Sequence, residues 1–249
     1  MKLTFLGTSH GAPEKDRFCT CMMLETAGGD IYLIDAGAPV TDCLTRLGKD
    51  FAKLKGVFIT HPHGDHIDGL FNLINVMNIR YRKVAFDILI PSNKMIDAIK
   101  DYVSVVCAAY PLKQDGIRFS RPTDGTTFDN GQIKVTYFEN AHMEKGLSFS
   151  LLVECEGKKA VFSGDLSVEL KAGDFPAYPL QNKVDLTVME TAHFGMDKIE
   201  PYLQELKTGT LCVNHINREE KFKDVVKADE SGKYGYRIVA PIDGDEFII

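Results

Sequence analysis

The chain has 249 residues, 44% of them apolar, with 29 basic and 35 acidic side chains for a formal charge of −6. At roughly 150 residues per domain, that length allows two small domains or one large α/β unit, and the apolar content excludes intrinsic disorder. The acidic balance excludes a general electrostatic footprint for nucleic acid, leaving room only for a local basic patch.

Strand-like runs come first: Lys2 to Leu6, then Met22 to Glu25 and Ile31 to Ile34, the latter two joined across the hairpin signal Gly28-Gly29-Asp30. Val40 to Leu47 has helical spacing, and Val57 to Thr60 is extended again. A histidine-rich stretch follows, then a helical pattern from Leu70 to Met77 and a strand from Phe86 to Ile90. Ser92 is placed to cap a helix carrying Met95, Ile96, Ile99, Tyr102, Val103 and Val106. Ile133 to Phe138, Ser148 to Glu154 and Lys159 to Ser163 read as strands, the last pair turning at Glu156-Gly157-Lys158. Beyond them, strands Leu186 to Met189, Thr210 to Val213 and Tyr236 to Val239 alternate with helices Ile199 to Leu206 and Arg218 to Lys227. Asp243-Gly244 then separates two more extended pieces. Without a linker or repeat, the pattern predicts one α/β (α+β) domain over residues 1–249, with helices covering two mixed sheets.

No stretch approaches the ~20 apolar residues of a membrane span, so no membrane partner is expected. The apolar run before Gly7 is too short for a signal-peptide core. Cys19, Cys21, Cys43, Cys107, Cys155 and Cys212 lack paired spacing. Cys19 and Cys21, two apart in a strand-like run, leave a metal or redox pair open, but buried small hydrophobes are the first reading. The expected location is the reducing cytoplasm.

The most informative stretch is Thr60-His61-Pro62-His63-Gly64-Asp65-His66. Neither a core strand nor a solvated loop needs three imidazoles and a carboxylate so close together, whereas zinc and its neighbours favour that donor set. His61 and His63 point the same way if the segment is extended. Asp65 and His66 diverge, so one loop can offer two pairs of ligands to two separate ions. The spacing differs from the helical pair of an H-E-x-x-H site.

His61-x-His63-x-Asp65-His66 resembles the signature of the metallo-β-lactamase-fold hydrolases. The resemblance extends along the chain through Leu33-Ile34-Asp35-Ala36-Gly37, His142, Val161-Phe162-Ser163-Gly164-Asp165 and Leu211-Cys212-Val213-Asn214-His215. It implies a four-layer αβ/βα sandwich in which Asp35 orients the metal loop. His61, His63 and His142 would hold one ion, Asp65, His66 and His215 the other, with Asp165 bridging. Leu6-Gly7-Thr8-Ser9, Asp185 to Thr191 and Asn214-His215-Ile216-Asn217-Arg218 are similar to the ribonuclease Z-like branch. That branch places a tRNA-gripping arm between the third histidine and the bridging aspartate. Here only a hairpin fits between His142 and Asp165, which argues against a large RNA partner.

The resemblance implies two divalent ions, zinc first, with manganese, iron or nickel also accepted by such donors. They would share a bridging hydroxide that attacks phosphorus or a carbonyl carbon while the ions stabilise the developing charge. The leaving group still needs a proton. The ribonuclease Z pattern takes it from a Gly-His-Ser-Thr stretch that is absent here. His193 is the candidate, oriented or raised in pKa by Glu190 three residues earlier, against the plainer reading of an ordinary loop hydrogen bond. Asp65, His193 and Glu190 form the catalytic set. His10 and the cluster Arg80, Arg82 and Lys83 are read first as surface groups, with substrate or phosphate contact as the alternative.

The expected function is a metal-dependent phosphodiesterase acting on a small-molecule or nucleotide-type substrate, assembled as a homodimer. The alternatives are a carboxyl-ester, thioester or lactone hydrolase, or a tRNA 3′-processing endonuclease. A di-iron redox protein is disfavoured because it would carry Glu where His63 stands, and seven intact ligands argue against a metal-free binding module.

Overall fold

The computed structural model describes residues 1–113, 115–170, 173–217 and 219–249, with only the backbone of residue 219. The first half runs β1 (Lys2–Gly7), β2 (Cys21–Glu25), β3 (Ile31–Ile34), α1 (Val40–Arg46), β4 (Leu54–Phe58), α2 (Gly64–Arg80), β5 (Phe86–Leu89), α3 (Asn93–Val106) and β6 (Ile117–Ser120). The second runs β7 (Thr127–Asp129), β8 (Ile133–Glu139), β9 (Phe149–Cys155), β10 (Lys158–Phe162), α4 (Tyr178–Gln181), β11 (Val184–Glu190), α5 (Met196–Leu203), β12 (Thr208–Asn214), α6 (Glu219–Glu230) and β13 (Arg237–Val239). β14 (Glu246–Ile248) returns to pair with β1.

These strands form two 7-stranded sheets, ordered β14-β1-β2-β3-β4-β5-β6 and β13-β12-β11-β10-β9-β8-β7. Both are mixed. β1 to β3 and β7 to β10 are antiparallel meanders, while β3 to β6 and β10 to β13 run parallel. Alternation along β8 sends Ile133, Val135 and Tyr137 inward and leaves Lys134 and Phe138 exposed, the period-two signature of a half-buried strand.

The inner faces meet in one core, where Leu3, Phe5, Tyr32 and Phe58 of the first sheet pack with Tyr137, Phe149, Phe162 and Val188 of the second. Leu44, Leu70, Leu73, Ile96 and Ile99 seal α1 to α3 onto the outer face of the first sheet. Ile199, Leu203 and Val225 seal α5 and α6 onto the second. The result is the expected four-layer αβ/βα sandwich.

The helix after the histidine stretch begins at Gly64 rather than near Leu70. Its first turn holds Asp65 and His66, whose polarity hides the helical period until Ile67. β6 and β7 carry no clear sequence signal because they are edge strands of four and three residues with side chains at most partly buried. Ser92 caps α3 as predicted, its hydroxyl accepting from the amide of Met95 at 3.2 Å. All six cysteines are buried and free. Cys19 lies before β2 in an isolated bridge to Ser9, so it does not share a strand with Cys21. Residue 218, where the last helix was expected to start, lies outside the described residues. Among the described residues, no helix is long and apolar enough to cross a membrane.

Gly69 brings α2 close to the β3–α1 connection. A Cβ there would sit 2.6 Å from the carbonyl oxygen of Gly37 and 2.8 Å from that of Ala36. Backbone cannot yield as a side chain can, so Gly69→Ala is expected to cost about 1–3 kcal/mol despite alanine's better helix propensity. Urea denaturation measures this directly, and an unchanged or raised midpoint would contradict it.

Candidate metal centre

The parallel strands end on one edge of the sandwich, where open α/β sheets collect their functional groups. Asp35 follows β3, His61 and His63 follow β4, and Asp65 and His66 occupy the first turn of α2. From the second sheet, His142 follows β8, Asp165 follows β10 and His215 follows β12. Asp35 and His215 adopt left-handed φ values of 59° and 51°, and Gly164 does so at 60°. A Cβ on Gly164 would lie 2.6 Å from the carbonyl oxygen of Phe149, so glycine is required before Asp165.

All seven candidate ligands are brought together. His61, His63, His142 and Asp165 form one group and Asp65, His66 and His215 another, with the donor atoms of each within 4.8 Å of one another. In the first, Nδ1 of His63 lies 3.0 Å from Nε2 of His61 and 3.2 Å from Nε2 of His142. Asp165 stands between the groups. Its Oδ2 is 3.3 Å from Nε2 of His215 and 3.7 Å from Nε2 of His61, while Oδ1 is 3.3 Å from Nε2 of His66.

The rings are oriented by what their other nitrogens bind. His66 donates from Nδ1 to Asp35 Oδ2 at 2.8 Å, and His142 donates from Nδ1 to the carbonyl of Leu166 at 3.1 Å. Nδ1 of His215 faces the Thr20 hydroxyl at 2.7 Å and the Ser9 carbonyl at 3.1 Å. Nδ1 of His61 lies 3.1 Å from the Thr60 hydroxyl, which itself donates to Asp35. In each case Nε2 keeps its lone pair toward the cluster, as in metal sites where an outer hydrogen bond fixes the tautomer. Burial, with the neighbouring imidazole of His66, holds His61 well below the ordinary histidine range. Burial also lowers His142. Burial opposes charge on His66 as well, yet the carboxylates of Asp165 and Asp35 outweigh it and shift the ring's pKa upward.

A divalent metal fits these donors. Among the described residues, Nε2 of His66 and Oδ1 of Asp165 are buried with no hydrogen-bond partner. Two such orphans facing each other are costly in a dry interior, and a cation between them would satisfy both.

His193 reaches the same edge from the loop after β11. Its Nδ1 donates to Glu190 Oε1 at 2.9 Å, its backbone amide donates to Glu190 Oε2 at 3.2 Å, and its ring packs 4.7 Å from that of His142. Nδ1 lies 3.8 Å from Asp165 Oδ2. The Glu190 hydrogen bond raises the imidazole's pKa against the opposing effect of burial. Of the remaining surface candidates, His10 faces Glu14 at 3.3 Å. Arg82 is engaged with the carbonyls of Asn78 and Pro111.

Sequence reasoning missed several supporting residues. Asp174 joins two ligand loops, its carboxylate accepting from the amides of Ala141 and Ser167 at 2.7 Å each. Arg17, buried and stacked 4.7 Å over Phe222 of α6, donates to the carbonyl of Ile216 at 2.8 Å, to the Thr8 hydroxyl at 3.0 Å and to the Thr8 carbonyl. Asp243 accepts from the amides of Thr8 and Phe18, tying the first loop to the C-terminal turn. No local motif marks any of these, because each acts on a segment distant in sequence.

The family described as anti-Pycsar protein Apyc1 matches residues 1–225. The chain belongs to that family. The fold of this Apyc1-family chain is the metallo-β-lactamase fold. The crystal structure of human tRNase Z, short form, superposes with a TM-score of 0.76 at 19% identity, covering 100% of this chain and 99% of that one. The metallo-β-lactamase fold protein YhfI from Bacillus subtilis gives 0.76 at 15% identity, covering 99% and 98%. A ribonuclease Z from Natronomonas pharaonis is 31% identical over 155 residues, which are 61% of this chain and 48% of that protein. The chain spans between 48% and 62% of the length of three such ribonucleases Z.

Proposed function

We propose that the chain is a dinuclear metallo-hydrolase that cleaves a small or nucleotide-type phosphodiester. His61, His63 and His142 would hold one divalent ion and Asp65, His66 and His215 the second, with Asp165 placed to serve both. Zinc suits this imidazole and carboxylate set. When bound, the pair makes water nucleophilic near neutral pH and offsets the charge that grows on the attacked centre.

The chain's own residues do the rest. Asp35, Thr60, Ser9, Thr20 and the Leu166 carbonyl keep the ligand rings in the required tautomer. Asp174 holds the His142 and Asp165 loops at a fixed separation. His193, whose pKa the Glu190 hydrogen bond raises, would give a proton from Nε2 to the departing oxygen. Its side chain retains 26% of its exposure, so water can return that proton.

The placement of His193 beside Asp165 carries the reading, since cleavage of an unactivated ester needs a proton at the leaving group. The ribonuclease Z likeness favours phosphorus over a carbonyl carbon. The β9–β10 hairpin fills the interval between His142 and Asp165, which favours a small substrate over a large RNA. Exposed Tyr102, Val105 and Val106 on α3, with Tyr110 beyond it, support a homodimer, which sedimentation would reveal.

The test offers zinc- or manganese-loaded protein bis-p-nitrophenyl phosphate, a thioester and a lactone in parallel. Turnover of the thioester or lactone alone would sink the phosphodiesterase reading. Less than one metal per chain by elemental analysis would revive the binding-module alternative. His193→Ala is expected to spare p-nitrophenyl ester hydrolysis while slowing alkyl esters by about 10²–10⁴-fold. Equal rates on both esters relative to the parent would refute the acid role.

A further inference from the structure

The loop that carries His193 is held from outside the metal centre. Lys221, on α6, directs its ammonium at the carbonyl oxygens of Thr191, Ala192 at 3.0 Å and Phe194 at 2.9 Å. An ammonium has three N–H donors, and here three carbonyls from four consecutive residues converge on it. Asn217, just before α6, adds its side-chain amide to the Ala192 carbonyl at 3.0 Å. The peptides on both sides of His193 are thus anchored to α6, while its own amide and ring are anchored to Glu190. Phe222, the next residue on α6, lies under Arg17, which holds the carbonyl following His215. One helix turn therefore braces both the His193 loop and the loop of a candidate metal ligand.

We infer that Lys221 is a positioning residue for His193, gathering the carbonyls of Thr191, Ala192 and Phe194 so that the imidazole stands at a fixed distance from Glu190 and Asp165. The inference rests on the proposed acid role of His193. Methionine matches the length of lysine without its donors. It would leave three carbonyls without their shared partner and let the loop relax, and a shift of about 1 Å in a catalytic group can cost on the order of 10²-fold.

The experiment compares the parent, Lys221→Met, His193→Ala and the double variant on thymidine 5′-aryl phosphates whose leaving phenols rise in pKa. Hydrogen exchange of the 191–194 segment and metal content are measured alongside. Lys221→Met is expected to leave the p-nitrophenyl ester nearly unaffected and to slow the least acidic phenol by about 10–100-fold. Exchange should be faster at 191–194 with metal content unchanged. In the double variant the loss should be no greater than for His193→Ala alone, because both changes remove one function.

Uniform slowing across the series, a loss additive with His193→Ala, or unaltered exchange would overturn the role of Lys221 while leaving His193 as the acid. A parent-like leaving-group dependence in His193→Ala would overturn the acid role and this inference with it. Should Lys221→Met fail to fold, Asn217→Ala weakens the same anchor and is read on the same series.

Discussion

On the proposed ligand assignment, Asp165→Ala is expected to lose both ions and, with them, turnover on every ester. The carboxylate stands within 3.3–3.8 Å of ring nitrogens from His61, His66, His142 and His215, so its removal withdraws the negative charge common to both donor groups. Loss of a group that merely orients a ligand typically lowers metal affinity or activity by about 10–100-fold, and loss of a shared ligand should exceed that. Elemental analysis after dialysis at fixed free zinc checks the result. Two ions retained per chain would show that Asp165 is not a ligand.

Asp35→Ala acts one step back from the metals and also reaches the fold. Asp35 is 1% exposed and accepts from the Thr60 amide at 2.7 Å, the Thr60 hydroxyl at 2.9 Å and His66 Nδ1 at 2.8 Å. Leaving the Thr60 amide unsatisfied costs about 1–3 kcal/mol, and placing alanine at a φ of 59° adds strain. Freed from its acceptor, His66 no longer keeps Nε2 as the lone pair, which should lower metal affinity by about 10–100-fold. Asparagine tolerates the left-handed backbone better than alanine, so Asp35→Asn should recover part of the stability without restoring metal affinity. Urea denaturation of metal-free protein and zinc titration separate the two effects. An alanine variant as stable and as tight-binding as the parent would contradict both.

The candidate ligands stand out in the sequence because four of them lie within residues 61–66 and the others stand at strand ends marked by apolar runs. Glu190 and His193, three residues apart, could be paired from the sequence, and the structure brings them into hydrogen-bond contact. Asp174 and Lys221 do not stand out. A carboxylate that binds the amides of Ala141 and Ser167, or an ammonium that binds three carbonyls of another loop, leaves no periodic trace along its own segment. Hydrophobic period and turn residues pointed to helices over two mixed sheets, and the four-layer sandwich was what the family resemblance implied. The edge strands β6 and β7 had too little buried surface to announce themselves, and the start of α2 was masked by residues selected for chemistry over packing.

His61, His63, Asp65 and His66 extend from the first sheet, whereas His142, Asp165 and His215 extend from the second. A cation held by either group is therefore a rivet between the two halves, and an unfolded chain cannot assemble its donors. Mass action then ties resistance to heat and proteases to the surrounding metal supply, contributing about 2.7 kcal/mol when the free ion stands a hundredfold above its dissociation constant. Surroundings that withhold the ion would empty the site and loosen the frame around it together.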